Sequence, residues 1–91
     1  MTIVEQNELM EYPCDYLFKA FCDKDGAATF RLEIKQAICR VVNCADDAIK
    51  ERSSAQGNYC CVTALVRLES RLQLEAINTE IRKIDTLMFM I

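Results

Sequence analysis

The stretch from Tyr59 to Leu68 constrains the fold more than any other feature. Cys60, Val62, Ala64, Val66 and Leu68 alternate without a break with Tyr59, Cys61, Thr63, Leu65 and Arg67. A period of two is the signature of a strand with one face on a core. Its register is also well specified, because a one-residue slip would turn Thr63 and Arg67 into the core and the wholly apolar set out of it. A strand of this kind needs neighbours, and the rest of the chain supplies them.

From Cys14 to Cys22 the chain alternates again, with Tyr16, Phe18 and Ala20 on one side and Asp15, Leu17, Lys19 and Phe21 on the other. Pro13 stands just ahead of this strand, where a missing backbone donor does least harm. Asp23-Lys24-Asp25-Gly26 is turn chemistry. From about Ala28 to Asn43, Phe30, Ile34, Ala37, Ile38 and Val41 then recur at helical spacing. A short strand over Ile49–Ser53 and a turn over Ser54–Asn58 lead into the long alternating strand. Ser70-Arg71-Leu72-Gln73 has the spacing of a capping box. Leu74, Ile77, Ile81 and Ile84 then line one face of a second helix, which Asp85 ends, and Thr86–Ile91 reads as a last, buried strand carrying Met88 and Met90.

The order is βαββαβ. Right-handed crossovers close it into an α+β, ferredoxin-like sandwich: a four-stranded antiparallel sheet of order 4-1-3-2 with two helices on one face. Ninety-one residues suffice for one such domain, expected over residues 13–91 behind a tail of residues 1–12.

The 11 basic and 14 acidic residues are scattered and leave a formal charge of −3, with no basic block to neutralise a row of phosphates. Nucleic acid is therefore not an expected partner. The opening residues lack the features of a signal peptide, and no apolar run approaches the ~20 residues that span a bilayer. These features predict a cytoplasmic protein with no membrane partner. In a reducing compartment the six cysteines stay thiols, and they pack as small apolar residues.

Several chemistries are excluded. The chain has no histidine, which removes Ser-His-Asp and Cys-His nucleophiles and every imidazole zinc site. Its only glycines are Gly26 and Gly57, so neither a P-loop nor a dinucleotide fingerprint exists. An RNA-recognition motif would place stacking rings where the third strand has Cys61, Thr63 and Leu65 beside Tyr59. No Cys-x-x-Cys pair is present for copper. Asp23-Lys24-Asp25-Gly26 is too acidic for a phosphate cradle, and Phe21 and Leu32 stand where a calcium loop needs ligands. No catalytic residue, cofactor or metal is expected. The expected topology would bring Cys22 towards Cys60, and would allow Cys14, Cys39 and Cys44 to gather at the opposite end. An enzyme that works through Lys19, Tyr59 or, as a thiol-dependent enzyme, a cysteine, and a soft-metal protein are the chemical alternatives.

The sheet face left bare by the helices is where function is expected. Leu17, Phe21, Leu65, Met88 and Met90 would project there beside Lys19, Tyr59 and Thr63, forming an apolar patch for a partner protein or a second copy of the chain. Ser54 and Gly57, in the turn next to Tyr59, complete the candidate contact set.

Several of these segments resemble the YbeD family of small bacterial proteins. Glu8-Leu9-Met10-Glu11-Tyr12-Pro13 with Lys19 is similar to that family's opening, Ser54 to Tyr59 to its Ser-x-x-Gly-x-Tyr-like hairpin, and Lys83-Ile84-Asp85 to its run into the last strand. Ala55 departs from the paired serines many members carry, and Cys22–Thr29 is longer than in many relatives. The family is similar in fold to ACT-type regulatory domains, such as that of phosphoglycerate dehydrogenase, which bind small metabolites and act through dimer contacts. Its genes often neighbour lipoate-attachment genes. The resemblance thus implies a non-enzymatic regulatory or adaptor domain that binds a protein or a small metabolite, with a structural subunit of a larger complex as the alternative.

Overall fold

The computed structural model describes residues 11–54 and 56–91. The expected tail therefore lies mostly outside the described residues, while Tyr12, assigned to that tail, packs against the core. The elements are β1 (Cys14–Asp23), α1 (Ala27–Cys39), β2 (Ile49–Ser53), β3 (Tyr59–Leu68), α2 (Arg71–Arg82) and β4 (Leu87–Met90), with single 3₁₀ turns at Lys24–Gly26 and Asp46–Ala48. They form one antiparallel sheet in the order β2-β3-β1-β4, as the sequence predicts.

The alternation sets the core. Phe18, Ala20 and Cys22 of β1 and Cys60, Val62, Ala64, Val66 and Leu68 of β3 are buried against Phe30, Ile34, Ala37 and Ile38 of α1 and Leu74, Ile77 and Ile81 of α2. Each expected core residue of the two long strands is thus on the helical side. Strands β1 and β3 pair over their whole lengths, from Cys14 opposite Leu68 to Asp23 opposite Tyr59.

The local signals act as their chemistry requires. The acidic turn becomes a 3₁₀ turn capped by Asp23, whose Oδ1 accepts from the Gly26 amide at 3.0 Å. Ser70 caps α2, its Oγ accepting from the Gln73 amide at 3.3 Å. Gln73 reaches back one residue further than a standard capping box, its Oε1 accepting from the Glu69 amide at 2.7 Å.

Three boundaries differ from expectation. Helix α1 stops at Cys39 rather than Asn43, because the Val41 and Val42 amides both turn onto the Ile38 carbonyl. Helix α2 stops at Arg82 rather than Asp85, and the Lys83 and Ile84 amides close the turn onto Glu80 and Ile81. The last strand is shorter and carries a register shift: Leu87 pairs with Cys22 but Phe89 pairs with Phe21, leaving Met88 as the extra residue of a bulge. The consequence is a correction. Paired residues of an antiparallel sheet share a face, so Met90, opposite Ala20, packs towards the core, and Phe89 takes the place on the open face expected for it. The strand as a whole is half-buried rather than buried.

Candidate interaction surface

The face away from the helices is built on β1 and β3. Leu17 and Leu65 are direct cross-strand partners and remain 48% and 53% exposed, so an aliphatic pair stands uncovered near the middle of the sheet. Towards the β3 start, Phe21 stacks on Phe89 with centroids 4.4 Å apart, and meets Tyr59 edge-on at 6.1 Å. Three strands thereby contribute one ring cluster. Lys19, opposite Thr63, separates it from the leucine pair.

The polar residues of this face are mostly cations. Arg67 pairs across strands with Asp15 at 3.5 Å. Lys50 lies opposite Thr63, and Arg52 lies opposite Cys61. Neither Lys19, Lys50 nor Arg52 makes an ion pair among the described residues.

Ser54 and Gly57 serve the hairpin. The Ser54 Oγ accepts from the Asn58 and Tyr59 amides at 3.0 and 3.3 Å, and its backbone amide donates to the Tyr59 carbonyl at 2.8 Å. Gly57, at φ +71°, takes the left-handed conformation that side-chain-bearing residues adopt at a cost. Beside this turn is a cleft of about 330 Å³ lined by Arg52, Ser53, Ser54, Tyr59 and Cys61.

The structure therefore brings together Leu17, Lys19, Phe21, Tyr59 and Leu65 on one face, sets Ser54 and Gly57 at its hairpin end, leaves Met88 exposed at the edge bulge, and removes Met90. Phe89, Arg52 and Cys61 are the residues the sequence reading missed. The first had no signal, since Leu87-Met88-Phe89-Met90 does not alternate. Arg52 could have been placed by counting the hairpin register back from Ser53 opposite Cys60.

The thiols divide by depth. Cys22 and Cys60 are buried cross-strand partners, as the alternation predicts. Burial, then the neighbouring Cys60 sulfur, pushes the Cys22 thiol up to about 11, and burial raises Cys60 as well. At the far end the Cys39 Sγ lies 4.0 Å from the Cys44 carbonyl, while Cys14 pairs with Leu68. Among the described residues no group of three or more Cys, Asp or Glu side chains is placed to hold a metal ion, and no helix is long and apolar enough to cross a membrane.

The chain is similar to known proteins over most of its length. The "UPF0250 protein" of Shewanella sediminis is 30% identical over 79 residues, covering 87% of this chain and 86% of that one. The UPF0250 protein Shewana3_0990 of Shewanella sp. strain ANA-3 is 32% identical over 79 residues, with the same coverage of 87% and 86%. A UPF0250 protein of Vesicomyosocius okutanii is 25% identical over 91 residues, covering 91% of this chain and 89% of its own. The solution structure of protein HP0495 from H. pylori superposes with a TM-score of 0.63 over 90% of this chain and 85% of that one, at 10% identity, a likeness of fold. The model of the family described as "Protein of unknown function (DUF493)" matches residues 7–91. With relatives at about 30% identity over most of its length, the chain belongs to the DUF493 family, the UPF0250 or YbeD-type small bacterial proteins.

Proposed function

We propose that this chain is a non-enzymatic regulatory or adaptor domain that docks a protein partner on the open face of its sheet. The observation that carries this is the Leu17–Leu65 pair, half-exposed at the middle of two strands whose opposite faces are packed in the core, with the Phe21–Phe89–Tyr59 rings beside it. Interface cores favour aliphatic and aromatic groups and exclude most charges, and a specific contact buries ~1,200–2,000 Å² in total. Charge favours a partner of different sequence over a second copy. Lys19, Lys50 and Arg52 are uncompensated on this face, and two copies packed face to face would bring like charges together. An acidic, apolar-centred surface is the complement. The resemblance to YbeD proteins makes a protein of lipoate attachment the first partner to try.

Leu65→Asp tests this role, because the side chain stands outside the core while the new carboxylate would enter a desolvated contact. Retention of one defined partner by the wild type and its loss in Leu65→Asp, with circular dichroism unchanged, supports docking. Wild type and variant retaining the same proteins would defeat it. Light scattering on both proteins gives the second-copy alternative its own outcome: a wild-type dimer that Leu65→Asp dissolves.

A further inference from the structure

We propose that the cleft at the β2–β3 hairpin, lined by Arg52, Ser53, Ser54, Tyr59 and Cys61, binds a small organic anion: a carboxylate or phosphate monoester carried on an apolar body. This does not rest on the docking role, which centres on Leu65.

Three clefts among the described residues are each lined by an arginine, and they differ in what that arginine already holds. In the one between α1 and α2, Arg40 lies 3.5 Å from Glu80, with Glu33 and Asp85 also in the wall. In the one below α2, Arg67 is paired with Asp15 and Glu69 lines the wall. The hairpin cleft has no acidic residue in its lining, and Arg52 makes no ion pair among the described residues. A guanidinium with an unused planar fork beside a concave surface is the group best suited to grip an oxyanion.

The surroundings reinforce the charge. Arg52 lies directly opposite Cys61, and Lys19 stands diagonally across β1 from it, so two cations flank this sulfur. Both favour its ionised form, against the burial that raises it. The nearest acid in sequence, Glu51, lies opposite Val62 on the other face and acts on Cys60 instead. The nearest carboxylate on this face is Asp23, opposite Tyr59, whose Oδ1 already accepts from the Gly26 amide; the lining itself holds no acid to oppose Arg52.

Neutral donors are placed to complete the grip. Because the Ser54 Oγ accepts two backbone amides, its own proton is turned away from them and is available. The Tyr59 hydroxyl makes no hydrogen bond among the described residues, and the residue is 42% exposed, so its ring offers an apolar wall. The volume, about 330 Å³, lies at the small end of ligand sites. It suits a compact acid rather than a nucleotide.

The test is a two-dimensional amide NMR titration of the whole chain with phenyl phosphate, benzoate, inorganic phosphate and, as a cationic control of similar shape, benzylamine. Saturable shifts at Arg52, Ser54, Tyr59 and Cys61 with phenyl phosphate or benzoate are expected, and whichever binds tighter names the head group. Arg52→Gln should weaken that binding roughly tenfold or more, the loss of a charge-assisted contact. Arg40→Gln, at an arginine already paired, should leave it unchanged. Arg52 is on an exposed edge strand, so its replacement leaves the fold in place, which the same spectra verify. Benzylamine shifting the same amides as strongly, Arg52→Gln binding as well as wild type, or no saturable shift with either organic anion would each overturn the proposal. Inorganic phosphate binding as tightly as phenyl phosphate would overturn the requirement for an organic body.

Discussion

The ring of Phe21 on β1 lies almost parallel to that of Phe89 on β4, 15° between their planes and 4.4 Å between their centroids. This contact anchors the shortest edge of the main sheet pairing, because β4 has only four residues and a bulge interrupts its ladder. The bulge is what permits it. Without the extra residue at Met88, Phe89 would fall on the core side and a methionine would face Phe21.

Phe89→Ala should therefore destabilise by about 1–2 kcal/mol, the stacking contribution plus part of the ring's burial. Met88→Ala, at the unpaired bulge residue, should cost under about 0.5 kcal/mol. Urea melts of both variants give the comparison. Equal losses would mean that the two residues share the edge equally and that the bulge is misplaced.

The order of elements, the paired faces of β1 and β3 and the helix stripes were legible because each rests on a period that one face of a core enforces. Ser70 was legible because a cap is local chemistry. The end of α1 was not, since Val41 and Val42 continue an apolar pattern after the backbone has turned onto Ile38. The facing of β4 was not, since consecutive apolar residues give no alternation from which to read a bulge. The open face was thus seen in outline, with Leu17, Lys19, Phe21, Tyr59 and Leu65 in place. Its charge was undervalued because β2 reads as a weak strand, although its register with β3 aims Lys50 and Arg52 to that side.

Ile77 lies mid-helix on α2, fully buried between the sheet and α1. Ile77→Ala should cost about 2–5 kcal/mol, the transfer of the lost methyls plus the cavity they leave. Ser70→Ala removes one capping bond to the Gln73 amide and should cost only about 1 kcal/mol. The ratio of the two losses in chemical denaturation checks both the stripe and the cap.

Gly26 and Thr86 form a tight junction between the turn after β1 and the residue before β4. A Cβ added at Gly26 would stand 2.9 Å from the Thr86 Cβ and 3.0 Å from its Cγ2, while the backbone at φ −89° would accept any residue. Gly26→Ala should then destabilise by about 1–3 kcal/mol through overpacking alone. The Thr86 Oγ1 is buried with no hydrogen-bond partner among the described residues. Thr86→Val, which keeps the shape and removes the unsatisfied hydroxyl, should stabilise by about 1 kcal/mol. Thermal melts of the two variants should move in opposite directions.

The thiols supply the last prediction, on stability at high pH. Burial, with Cys60 beside it, lifts the Cys22 thiol from the ordinary 9.0 to about 11. In the folded state it keeps its proton where the unfolded chain has lost it. Between those values the unfolded state binds fewer protons, so the free energy of unfolding falls as pH rises. The stabilising contribution is complete below about pH 9 and drains away as pH climbs towards 11. Cys60, also raised by burial, adds to the same slope. Urea melts between pH 7.5 and 10.5 should show this decline, and Cys22→Ala should flatten it while lowering stability at neutral pH through the small cavity it leaves. Alkylation gives an independent measure. Exposed Cys39 should react with iodoacetamide first, and buried Cys22 and Cys60 only on the unfolding timescale. A Cys22 that labels as fast as Cys39 in the folded protein, or an unchanged pH slope in Cys22→Ala, would show that this thiol is not sealed in the core beneath the helices.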